Sequence, residues 1–117
     1  MITNWPQDIE PLSAGLRTLR ADASNVMKAF GQLAQSATKS GALDAKTKEL
    51  IALAIAVTTR CDDCIAFHAK AAVEQGASRD EVLETLGMAI YMGAGPSVMY
   101  ASHALQAFTQ FTVAKQA

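Results

Sequence analysis

Eight consecutive residues, Leu50 to Val57, are apolar without interruption. The run is far shorter than the roughly 20 residues that cross a bilayer. Asp44 is placed to cap a helix ahead of it, Lys46, Lys48 and Glu49 open that helix, and it is expected to reach about Thr59. A helix that is apolar on every side has to be enclosed by protein. The chain has 117 residues, read as one domain over 1–117, and a domain of that size has little interior. Full enclosure of the run is therefore expected to draw on a second subunit.

The remaining apolar residues recur at helical spacing, and no stretch alternates with period two for long enough to argue a strand. Residues 1–7 read as irregular, with Trp5-Pro6 as punctuation. A short helix is expected from about Pro11 to Arg20, carrying Leu12, Leu16 and Leu19. Asp22 or Ser24 can cap the next, whose stripe is Val26, Met27, Phe30, Leu33, Ala34 and Ala37 and which ends near Ser40-Gly41. After the Leu50–Val57 helix, another is expected from Cys61 or Asp62 to Glu74, with Gly76 as its stop. Ser78 and Glu81 form a capping box for a fifth. Gly93-Ala94-Gly95-Pro96 breaks it, and a last helix reaches about Val113. The expectation is an all-α, compact bundle of about six helices.

Formal net charge is −1, so there is no electrostatic case for nucleic acid or an anionic membrane as partner. The stretch Met1 to Pro6 lacks the basic and apolar regions of a signal peptide, and the expected location is cytoplasmic. In that compartment a C-x-x-C pair points to catalysis, redox chemistry or metal binding before it points to a static crosslink.

Both cysteines of the chain and one of its two histidines lie within Arg60-Cys61-Asp62-Asp63-Cys64-Ile65-Ala66-Phe67-His68. At about 100° per residue, Cys61, Cys64 and His68 fall within roughly 60° of one another on a helix. The thiols are close enough in sequence for a disulfide within one turn. His68, one turn beyond Cys64, can exchange a proton with a thiol. Three readings compete. A thiol at a helix N-terminus is activated by free N–H groups and the dipole. Asp62 and Asp63 oppose that activation, and also have a plain role in stabilising the helix start. Alternatively Cys61, Cys64 and His68, with Glu49 or His103, could ligate zinc, although such ligands seldom lie along one helix. Thirdly, buried cysteines and a histidine can simply pack. By spacing alone Glu49 reads as a solvated first-turn acid, although it shares a face with Ala52, Leu53 and Ala56. His103 reads as a packed or interface histidine. Met88, Tyr91, Met92, Met99 and Tyr100 read as core or subunit contacts.

Glu49 followed after eleven residues by Cys61-x-x-Cys64-x-x-x-His68 resembles the motif of the AhpD-like alkylhydroperoxidases of the carboxymuconolactone decarboxylase superfamily. The resemblance continues through Ala69 to Ala77, Glu81-x-x-Glu84 and Tyr91 to Pro96, covering roughly residues 40–105. It implies an all-α fold assembled as a homotrimer or homohexamer. It also implies a dithiol that reduces hydroperoxides and is reset by an external dithiol or thiol protein, with no cofactor and no metal. By position Cys64 matches the peroxidatic thiol. Cys61 matches the resolving thiol, which the reductant meets first. His68 and Glu49 match the proton relay. The best-known members carry histidine directly before the second cysteine, where this chain has Asp63. Two other functions are carried alongside: a decarboxylase-type lyase acting on a small organic acid with incidental thiols, and a non-catalytic redox-sensing oligomer.

Overall fold

The N-terminal segment is tied into the molecule by one aromatic residue. In the computed structural model, which describes residues 2–117, Trp5 is fully buried. Its indole N–H donates to Gln106 Oε1 at 2.9 Å, its backbone N–H donates to Gln110 Oε1 at 2.8 Å, and Gln110 Nε2 donates to the Thr3 carbonyl at 3.0 Å. A buried indole needs a partner for its N–H, and the two glutamines supply one from the far end of the chain. Trp5 therefore opens α1 (Trp5–Asp22), whereas the sequence leads one to expect irregular chain there and a helix only from Pro11. Asn4 caps α1 by accepting from the Gln7 N–H at 3.2 Å, and Pro6 takes the first-turn position that suits proline. Pro11 lies inside the helix, which continues past it.

Four more helices follow: α2 (Ser24–Thr38), α3 (Ala45–Thr58), α4 (Asp62–Glu74) and α5 (Arg79–Gln116). None of the described residues is in a strand. The count is thus five, not six. Neither Asp22 nor Ser24 caps α2; Ala23 holds that position without a side-chain bond, because a single residue separates the two helices. Asp44 caps α3, accepting from Thr47 N–H at 2.7 Å, and that bond, with the nearby Lys46, keeps its carboxyl below the usual range. Ser78 and Glu81 form the expected capping box, with bonds of 3.1 and 2.8 Å. Lys46 on α3 bridges to Glu81 at 2.8 Å and so ties the start of α3 to the start of α5.

Both ends of the α3–α4 unit close in the same way. The Cys61 N–H bonds to the Ala56 carbonyl and the Arg60 N–H to Val57, and the Ala77 and Gly76 N–H groups repeat the pattern on Ala72 and Val73. Each is a left-handed residue terminating a helix. Gly76 (φ 78°) suits that role, whereas Arg60 (φ 58°) carries a side chain there. The turn at Arg60 delivers Cys61 directly to the start of α4.

The core lies between α3, α4 and α5. α4 buries Ile65, Ala66, Ala69, Ala72 and Val73. α5 buries Val82, Leu86 and Ala89 before its kink, and Ala101, Ala104, Ala107, Phe108 and Phe111 after it. The apolar run of α3 is enclosed on one side only: Leu53, Ala56 and Val57 are buried, but Ile51 and Ile55 are exposed. The stripe of α2 is also uncovered in the single chain, with Val26, Phe30 and Leu33 exposed. Met88, Tyr91, Met92 and Met99 are likewise exposed rather than core, with Tyr91 at 80%.

The break expected at Gly93 to Pro96 is present as a kink within α5, where Ala94 alone leaves helical geometry (φ 57°, ψ −143°). Pro96 then sits in the first turn of the resumed helix, where its missing N–H is harmless. A side-chain-bearing residue in this region costs about 1–3 kcal/mol. Glycine at position 94 would relieve that strain, while glycine at 93 serves space: a Cβ on Gly93 would lie 1.8 Å from Ser97 Oγ. We predict that Ala94→Gly raises stability by about 1 kcal/mol and that Gly93→Ala lowers it, by chemical denaturation at fixed protein concentration. A loss of stability in Ala94→Gly would refute the assignment of strain to Ala94, and an unchanged or raised stability in Gly93→Ala would refute that of crowding to Gly93.

Candidate functional site

Cys61 is the N-cap of α4, with extended backbone (φ −111°, ψ 94°), and its Sγ accepts from the Cys64 N–H at 3.2 Å. Cys61 therefore precedes the helix instead of lying on it, while Cys64 is in its first turn. The two Cα atoms are 5.2 Å apart and the sulfurs are joined in a disulfide. This agrees with the close approach expected from the spacing. Cys64 is exposed and Cys61 half-buried. When the pair is reduced, the N–H that meets Cys61 Sγ and the positive end of α4 both favour a thiolate there.

His68 lies one turn beyond Cys64, and its Nδ1 is 2.7 Å from Glu49 Oε2. The partners lie 19 positions apart in sequence, and α3 packing against α4 brings them together. Glu49 is not the solvated acid that spacing alone suggests: its side chain is only 12% exposed, and that of His68 is 34% exposed. An ionised carboxylate can only accept, so the bond requires Nδ1 to carry the proton. The neutral ring then offers Nε2 as its acceptor, a base of defined orientation. The arrangement can take a proton from a neighbouring group and return it.

The second histidine has a partner that the sequence did not suggest. His103 Nδ1 is 2.9 Å from Asp62 Oδ1, with both side chains largely sheltered, and the Tyr100 and His103 rings lie 4.9 Å apart, tilted by 57°. The partners lie 41 positions apart, and the chain between them carries no local pattern that joins them. The one sequence signal was the placement of Asp62 beside Cys61. Asp63 is exposed. The site thus brings together Cys61, Cys64, His68 and Glu49. The candidate zinc donors are engaged in pairs, Cys61 with Cys64, Glu49 with His68 and His103 with Asp62, and among the described residues no three His, Cys, Asp or Glu side chains are placed to hold a metal ion.

The Glu49 bond predicts a specific tautomer. Nitrogen NMR of the neutral His68 ring should show the proton on Nδ1, and Glu49→Ala should move the population towards the Nε2–H form. An unchanged tautomer in that variant would mean that Glu49 does not orient the ring.

Residues 24–107 match the model of the carboxymuconolactone decarboxylase family. A solved protein of that family from Legionella pneumophila is 50% identical, with a TM-score of 0.90 over 92% of this chain and 96% of that one. A family protein from Thermotoga maritima, described as a candidate for a part in the antioxidative response, is 28% identical with a TM-score of 0.84 over 93% of each chain. Among sequences, an uncharacterised protein of Haemophilus influenzae is 40% identical over 93% of this chain and 96% of its own length. An uncharacterised protein of Cupriavidus necator is 48% identical over 70% of this chain and 73% of its own length.

Proposed function

The chain belongs to the carboxymuconolactone decarboxylase family, and from that premise we propose that it is an AhpD-like, thiol-dependent oxidoreductase that reduces hydroperoxides. The observation that carries the reading is the Glu49–His68 pair at 2.7 Å, one helical turn from Cys64 of a bonded Cys61–Cys64 pair. An inert crosslink has no use for an oriented base. The antioxidative connection described for the Thermotoga maritima protein points the same way.

In the proposed cycle His68 takes the proton of Cys64, the more exposed of the two cysteines. The thiolate attacks the distal peroxide oxygen, the O–O bond breaks, and the departing alkoxide takes the proton back from His68 as the alcohol. Cys64 is left as a sulfenic acid. The Cys61 thiol attacks that sulfur, the S–O bond breaks, and water leaves with the thiol proton as the disulfide forms. An external dithiol or thiol protein then reopens the disulfide through a mixed disulfide, and is itself oxidised. Such a cycle needs a reducing compartment, and we place the protein in the cytoplasm. No described helix is long and apolar enough to cross a membrane. Asp63 stands where the best-known members of this type carry a histidine, so His68 and Glu49 form the whole relay.

Peroxide consumption with a dithiol donor tests the reading. Cys64→Ser should abolish turnover and sulfenate trapping, Cys61→Ser should abolish turnover yet leave a trappable sulfenate, and His68→Ala should slow turnover by about 10²-fold or more. Turnover of a small organic acid that survives loss of both cysteines would instead establish the lyase alternative. Sulfenate labelling at Cys61 in the Cys64→Ser variant would reverse the two thiol roles.

We further propose a homotrimer or homohexamer. Two apolar faces stay uncovered in the single chain: the α2 stripe of Val26, Phe30 and Leu33, and a face on α3 and α5 comprising Ile51, Ile55, Met88, Tyr91 and Met92. Soluble monomers rarely leave such faces open, and closed symmetry hides them without open-ended growth. Light scattering at micromolar concentration should give about three or six times 12.4 kDa. A folded 12.4 kDa species that persists as concentration rises would rule the assembly out.

A further inference from the structure

We infer that His103 is a positioning residue for the Cys61 thiol, acting through Asp62; the inference rests on the dithiol reading above and adds a residue to it. Cys61 sits at the start of α4, where the Cys64 N–H and the helix dipole stabilise a thiolate. The charges nearest to it in sequence are Arg60, Asp62 and Asp63. Arg60 and Asp63 are exposed, so water and salt screen them. Asp62 is adjacent to Cys61 and largely sheltered, with a side chain 27% exposed, so its negative charge acts on the thiolate with less screening. Left alone, it would cancel much of what the helix start supplies.

His103 answers that charge. Its Nδ1–H donates to Asp62 Oδ1 at 2.9 Å, drawing the carboxylate charge towards α5. The Tyr100 ring, one turn away on α5, packs against the imidazole and limits its rotation. The two thiols therefore have separate histidine–carboxylate pairs of the same form. Glu49–His68 is associated with Cys64, and Asp62–His103 with Cys61. The first pair handles the proton of the attacking thiol. The second keeps the resolving thiol reactive enough to close the disulfide and to leave as a thiolate when its mixed disulfide with the reductant is resolved.

Alkylation of Cys61 by iodoacetamide in the reduced Cys64→Ser protein isolates this effect and uses no peroxide. Adding His103→Leu should slow alkylation roughly three- to tenfold at neutral pH, because less of the thiol is then present as thiolate. Adding Asp62→Asn to that variant should restore the rate, because the offending charge is gone. A purely structural role for His103 would leave the double variant as slow as the single one, or slower, and would overturn the proposal. So would an unchanged rate in His103→Leu. Should His103→Leu fail to fold by circular dichroism, Asp62→Asn alone decides: alkylation at or above the parent rate supports the proposal, and slower alkylation refutes it. A protein that shows these rates but consumes no peroxide would disprove the peroxidase reading and leave the role of His103 in thiol reactivity standing.

Discussion

Close packing of α4 against its neighbours is the constraint on which the rest depends. The buried face of α4 carries Ala66, Ala69 and Ala72 among its larger Ile65 and Val73, and the facing half of α5 buries Ala101, Ala104 and Ala107. Alanine extends only to Cβ, so helices lined with it can approach closely. Because of that approach, short polar side chains reach one another between elements: Glu49 from α3 meets His68, and His103 from α5 meets Asp62. Larger residues at the alanine positions would separate the helices and part both pairs.

The polar atoms of the site are matched in charge and bonding to an environment that is mostly apolar. No buried side-chain nitrogen or oxygen among the described residues lacks a partner. Glu49, the most sheltered charge of the site, has a histidine donor. Asp62 has one too. A sheltered carboxylate without such a donor would be strongly disfavoured as an ion. The same bonds hold each imidazole in one tautomer, so satisfying the acids also prepares the bases. Stability and reactivity here arise from a single set of contacts.

Elsewhere the chain accepts local strain to keep its path. Arg60 and Ala94 both hold left-handed backbone with a side chain attached. At Arg60 the turn ends α3 and places Cys61 at the cap of α4. At Ala94 it redirects α5, while Gly93 leaves space for the buried Ser97. Neither residue is the glycine that the geometry prefers, and each lies between well-packed helices that can hold it in place.

Much of this was legible from local pattern alone. Helix type, the Asp44 cap, the Ser78–Glu81 box, the stop at Gly76 and the reach of α4 follow from bonds within a few residues, and such bonds are written in the order of the chain. The proximity of Cys61 and Cys64 follows for the same reason. The resemblance in spacing singled out Glu49, which pattern alone would have left in solvent. Tertiary structure decided what depends on residues far apart: the burial of Trp5 by Gln106 and Gln110, and the bond from His103 to Asp62. It also decided which sides of the Leu50–Val57 run are covered. Periodicity states that a residue is apolar or charged and which face it shares, but a partner 41 or 101 positions away is chosen by how helices pack, and that is a property of the folded chain as a whole.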